Sequence, residues 1–156
     1  MKWFIKCLKN YAVFKGRARR AEYWYFVLFQ FLAILAAAIV GSLLLGTTAG
    51  VVLYVLCALG LLIPSLSVAV RRLHDINRSG KLILYIYGSL LALSIVVSIL
   101  CFIIPATAAA LYALLAIASL AAGIYLLVLF VTPGTKGENI YGPDPRREEA
   151  ENDDCI

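Results

Sequence analysis

Two long stretches of the chain contain no Asp, Glu, Lys or Arg: one from Tyr23 to Val70, the other from Leu82 to Thr135. A hydrocarbon core of about 30 Å takes roughly 20 apolar residues in helix, so each stretch is long enough to cross it twice. A helix also satisfies its own backbone N–H and C=O groups, which lipid cannot do. With 63% of its 156 residues hydrophobic and only 15% charged, the chain falls outside the soluble class, where about 25% charge is usual. A secreted disulfide scaffold, a disordered tail and an ordinary cytosolic enzyme are excluded on the same grounds.

Turn residues divide each stretch. Gly46-Thr47-Thr48-Ala49-Gly50 breaks the first and Pro105 the second, proline being favoured in the first turn of a helix. The expected fold is all-α, a polytopic membrane protein with four transmembrane helices at about 23–45, 51–70, 82–103 and 106–131 in two tight hairpins. An amphipathic interfacial helix over 1–15 precedes a membrane domain over 16–131, followed by an ordered turn segment at 132–145 and an acidic disordered tail at 146–156.

The charges set the orientation. Residues 1–22 carry seven Lys or Arg and the central loop carries four (Arg71, Arg72, Arg78, Lys81), while the two outer turns carry none. The positive-inside rule then puts both termini in the cytoplasm. A signal peptide would also give a basic start before an apolar stretch, but this stretch has full spanning length.

At about 100° per residue, Lys2, Lys6 and Lys9 fall on one side of the first helix, and Phe4, Ile5, Leu8, Tyr11 and Ala12 on the other. Such a segment, with Trp3 and later Trp24 at head-group depth, suits the lipid interface and anionic inner-leaflet lipids. A topology signal alone is the alternative.

Arg17, Arg19, Arg20 and Glu22 open the first span, and Arg71, Arg72, His74, Asp75 and Arg78 crowd the central loop, with Ser79 a candidate N-cap. Glu22, Asp75, Glu138 and Asp144 are expected to pair with Arg17, Arg71, Arg72 and Arg78, closing a cytoplasmic polar cap over the inner helix ends. Asn139 lies in the turn-rich tail, which either docks on that cap or is a plain linker. His74 and Asp75 fall short of the three or four ligands of a zinc site. An acid–base role stays open for them beside a structural hydrogen-bonded pair.

Within the spans, Gln30 is the one side-chain amide, and Pro64 frees the carbonyl of Gly60. Their depths predict a hydrogen bond between Gln30 and Gly60 or their close neighbours, locking the first two helices and setting a kink. The four cysteines, Cys7, Cys57, Cys101 and Cys155, make no disulfide framework.

Three motifs carry a resemblance. The run Tyr11-Ala12-Val13-Phe14-Lys15-Gly16-Arg17-Ala18-Arg19-Arg20-Ala21-Glu22-Tyr23-Trp24, the segment Pro64-Ser65-Leu66-Ser67-Val68-Ala69-Val70-Arg71-Arg72-Leu73-His74-Asp75 with Arg78-Ser79-Gly80, and the tail from Pro133 to Pro145 resemble, in order, the bacterial inner-membrane proteins of the YhaH and YhaI type, domain of unknown function 805. The resemblance implies a small integral protein of the bacterial inner membrane without an established activity. Where that family commonly has aromatic residues after Ser-Gly, this chain has Lys81 and Leu82.

The function expected from these features is that of a non-enzymatic membrane or interaction protein with a basic, lipid-associating cytoplasmic face. Its partners would be anionic lipids, a second copy or another membrane protein, with no nucleic acid, metal or cofactor. A small transporter or channel component is the alternative; as no ionisable residue lines the spans, it would have to act as an oligomer. An interfacial enzyme using His74 and Asp75 comes third, since it lacks a nucleophile motif or phosphate-binding loop.

Overall fold

A computed structural model of the chain describes residues 2–146, without the side chains of residues 2, 3, 6, 44 and 45. The lipid contacts expected of Lys2, Trp3 and Lys6 and the acidic segment 147–156 lie outside what is described. Five α-helices follow in order: α1 (Lys2–Lys9), α2 (Arg20–Leu45), α3 (Thr47–Asp75), α4 (Lys81–Ile103) and α5 (Ala108–Val131), the last entered through a 3-10 turn at Pro105–Thr107. The described residues contain no strand. Four of these helical segments are long and apolar enough to cross a membrane.

The boundaries have local causes. Glu22 sits in the first turn of α2, where the positive end of the helix favours it. The break after α2 is a single residue, Gly46, shorter than the five-residue turn expected. Its φ of +85° is open to glycine, so α3 begins at once with Thr47. At the other end of α3, Arg78 N–H reaches Leu73 O (2.9 Å) and Asn77 N–H reaches His74 O (3.0 Å), with Asn77 at φ +59°. These are the two bonds of a Schellman stop, with Asn in the left-handed position. Ser79 Oγ then accepts from the N–H of Lys81 (3.3 Å) at the start of α4.

α2 packs along α3, and α4 along α5. Near the Gly46 turn, Gly41 and Gly50 let the backbones touch: a Cβ on Gly50 would lie 2.5 Å from Ser42 N. The buried residues gather at the opposite end, in two clusters. Cys7, Ala18, Phe26 and Val68 form one, and Leu73, Ile83, Leu126 and Phe130 the other. Tyr23 packs against both, its ring 4.4 Å from that of Phe130. Trp24 stays exposed, edge-on to Tyr23. Away from this end the helices present Leu, Ile, Val and Phe outward, as lipid-facing helices do.

α1 stops at Lys9, short of the expected end at residue 15, because the next carbonyls are taken elsewhere. Ser67 Oγ on α3 donates to Val13 O (2.6 Å) and Asn10 O (3.3 Å), and Val13 N–H closes a turn on Asn10 O. This bend sends Tyr11 to α3, where its hydroxyl donates to Gly60 O at 2.6 Å. The carbonyl freed by Pro64 is therefore filled by Tyr11, correcting the bond expected from half-buried Gln30. Tyr11→Phe is expected to lower stability by about 1 kcal/mol, the usual net worth of such a bond. Gln30→Leu should leave the detergent melting curve unchanged; the reverse order of effects would show that the Gly60 contact is not what holds α1 to α3.

Candidate functional site: an arginine-rich cap

The polar end of the bundle is built around two carboxylates and three buried guanidinium groups. Asp75 ends α3, where Arg72 stands one turn earlier on the same face, so Arg72 Nη1 donates to Asp75 Oδ2 at 2.5 Å. The other oxygen, Oδ1, accepts from Arg17 Nε at 3.0 Å and lies 2.9 Å from its Nη2. Arg71 Nη1 donates to Glu22 Oε1 at 2.6 Å, tying α3 to α2, and Cys7 Sγ on α1 donates to the same oxygen at 3.5 Å.

Two of the three, Arg72 and Arg17, also close a backbone end. The last carbonyls of a helix lack partners inside it, and a cation there is favoured. Arg72, fully buried, donates from Nε to Phe130 O (3.1 Å) and from Nη2 to Thr132 O at the end of α5. Arg17 does the same for the tail, reaching Thr135 O (2.5 Å), Gly137 O (2.6 Å) and Gly142 O (3.4 Å).

The tail in turn covers the end of α3. Thr135 N–H donates to Asp75 O (2.9 Å), and Asn139 Nδ2 to His74 O (2.9 Å) and Thr135 Oγ1 (2.9 Å). Gly134 passes so close to Asp75 that an added Cβ would lie 2.0 Å from Oδ2. Asp144 staples the tail turn, accepting from Gly137 N–H (3.1 Å) and Arg146 N–H (3.0 Å). Burial works against its charge, yet the backbone N–H groups of Arg146 and Gly137 and the charges of Arg17 and Arg146 hold its carboxyl below the usual range. Arg19 Nε donates to Pro145 O (3.1 Å).

The site residues named from sequence thus separate. Arg17, Glu22, Arg71, Arg72 and Asp75 meet in ion pairs, with Asn139, Asp144 and Arg19 held through backbone groups. Arg78 and Glu138 are exposed at the rim, and Asp144 serves a turn, so these three do not make the pairs expected of them. His74 and Asp75, neighbours in sequence, point to different partners. The His74 ring donates from Nδ1 to Gly16 O (3.2 Å) and stacks on Tyr141 at 3.9 Å, nearly parallel. No acid–base dyad forms between them. Among the described residues no group of three His, Cys, Asp or Glu could hold a metal ion.

Donors outnumber acceptors throughout. Arg71 Nε and Nη2 and Arg20 Nε are buried with no acceptor among the described residues.

Tyr141, with Asn139, is the reason to expect the tail to dock; Thr135, Gly134, Ser67, Tyr11 and Cys7 join the cap without having been singled out for it. All of these but Cys7 lie within the three motifs; Cys7 stands three residues after Phe4 and so on its face of α1. Burial, then the neighbouring Glu22 charge, push its thiol up to about 12 from an ordinary 9.0, against the pull of Arg71. A pKa raised on folding stabilises the fold fully below pH 9.0, and that contribution fades as pH climbs from 9.0 towards 12. At pH 8 its thiolate fraction falls roughly a thousand-fold below that of a free thiol. A variant keeping Cys7 as its sole cysteine should therefore resist maleimide in mild detergent and react promptly once unfolded. Equal rates in both states would place Cys7 outside the cap.

Fold and site together define a class: an integral membrane protein of four spanning helices, closed at one end by an internally paired arginine-rich cap. The chain belongs to the family described as "Protein of unknown function (DUF805)", which matches residues 11–143 and so takes in all the ion pairs of the cap. It is 37% identical to the inner membrane protein YhaI of Escherichia coli (strain K12) over 147 residues, 94% of this chain and 97% of that one. With the inner membrane protein YhaH of the same strain it shares 31% over 150 residues, 95% and 99% of the two chains. No solved structure matches. The names of these relatives specify a membrane and no activity.

Proposed function

We propose that the protein is a non-enzymatic component of the bacterial inner membrane whose capped end faces the cytoplasm and associates with the anionic inner leaflet. Supporting this orientation, the Lys and Arg residues among those described all lie in the three segments at that end, and both outer turns have none. The observation that carries the reading is where the acids go. Glu22 and Asp75 are consumed inside the cap, while Lys9, Lys15, Arg78, Lys81, Lys136 and Arg146 are exposed on it with one exposed acid, Glu138, among the described residues. Each such cation near an anionic surface is worth about 1 kcal/mol, screened by salt.

His74 and Asp75 are committed to Gly16, Tyr141, Arg17 and Arg72, which favours a structural role for them over catalysis. Added phosphatidylglycerol should raise the melting temperature of the detergent-solubilised protein more than phosphatidylcholine does, with the gap shrinking as NaCl rises. Equal shifts with both lipids, insensitive to salt, would count against the reading.

A further inference from the structure

The cap joins the two hairpins at one end only. Directly beneath it a cavity of about 650 Å³ opens between them, walled by Leu66 and Val70 of α3, Leu84 of α4, Phe130 of α5, Tyr23 of α2 and Phe14 of the segment before it. Its volume lies within the range of about 300–1,000 Å³ usual for ligand sites, and its walls are almost wholly apolar.

Depth narrows what can fill it. The α3 wall runs from Leu62 to Val70 and stops where Arg71 enters the cap, a rise of roughly 12 Å. That is close to the thickness of one leaflet of a core of about 30 Å. Gly80 shuts the capped end of the cleft: any Cβ there would lie 2.5 Å from Val70 Cγ1, so the start of α4 can approach α3 closely.

Charge narrows it further. Two lining residues on separate segments have a cation next to them along the chain: Lys15 follows Phe14, and Arg20 stands one turn before Tyr23 with its Nε buried and without an acceptor among the described residues. The nearest acid in sequence, Glu22, is already paired with Arg71.

We propose that this cleft holds one acyl chain of an anionic phospholipid, whose head-group phosphate rests against Lys15 and Arg20. The inference rests on the capped end facing the inner leaflet and adds a defined, saturable site to a surface attraction. An uncharged apolar molecule would not use the cations, and a second copy of the chain would have to bring its own counter-charge to them.

Native mass spectrometry of the full chain, stripped of lipid and titrated with phosphatidylglycerol or phosphatidylethanolamine, tests it. One phosphatidylglycerol should bind ahead of all others. Leu84→Trp, at a position 70% exposed, fills the cleft without disturbing the cap and should weaken that first binding roughly tenfold or more. Leu66→Trp, from the α3 side, serves as the second variant if the first folds poorly. Arg20→Gln with Lys15→Gln should leave the chain bound and erase the preference for phosphatidylglycerol.

Unchanged first binding in both tryptophan variants would overturn the site, even while a salt-dependent thermal shift persisted and left the surface reading standing. A dimer dissolved by Leu84→Trp, with no lipid bound by the wild type, would overturn it in favour of a second copy.

Discussion

Asp75→Ala is expected to destabilise the protein by about 3–5 kcal/mol, the usual effect of stripping a buried ion pair of one partner. Asp75 is the countercharge shared by Arg17 and Arg72, and all three side chains are at least nine-tenths buried. Its loss leaves two guanidinium groups facing each other without an anion between them. Chemical or thermal unfolding in mild detergent at pH 7 measures the effect. Once Arg72 has been changed to Ala, the same Asp75 substitution should cost much less, because one of the stranded charges is already gone. Purely additive effects would mean that Arg72 and Asp75 do not act as a pair. Glu138→Gln and Arg78→Gln, both at exposed sites, should stay within about 0.5 kcal/mol of wild type.

Gly134→Ala is the second large effect, from a single methyl group. The new Cβ would meet Asp75 Oδ2 at 2.0 Å and Cγ at 2.6 Å, and Asp75 cannot retreat while two arginines hold it. The tail has to lift, loosening the bonds from Arg17 to Thr135 and Gly137. Overpacking of this kind costs about 1–3 kcal/mol. The visible sign should be protease cleavage within 133–145 at concentrations that spare the wild type. Gly123→Ala is the control: its Cβ meets nothing within 4 Å in the middle of α5, and removing a helical glycine should stabilise by up to about 1 kcal/mol. If both variants resist protease equally, the tail is not packed on Asp75.

The spans were legible because charge is excluded from lipid so strongly that its absence marks the helices directly. Their ends were less so. The Gly46 turn spends one residue where five were expected, since a single left-handed glycine reverses the chain and Thr47 to Gly50 are free to be helical. The members of the cap were readable from residue type, but their pairing was not: Arg17 and Asp75 are 58 positions apart, and no periodicity connects them. More than half of what the arginines bind is backbone carbonyl, which every residue carries and no sequence pattern marks. The contact at Gly60 failed for a related reason. Depth along the helix axes placed Gln30 within reach, but the bend at Asn10 that delivers Tyr11 depends on Ser67, a residue of another helix.

Arg17 is synthesised early, yet the carbonyls it binds belong to Thr135, Gly137 and Gly142, near the end of the chain. Arg72 likewise waits for Phe130 and Thr132. Chains emerge at about 5–20 residues per second, so both arginines spend several seconds on the ribosome without these acceptors. Closure of the cap is therefore a late step in biogenesis that reports completion of the fourth span. A chain cut off before residue 132 would carry all four apolar helices yet lack Thr132, Thr135, Gly137 and Gly142, and with them most of the carbonyls that Arg17 and Arg72 hold.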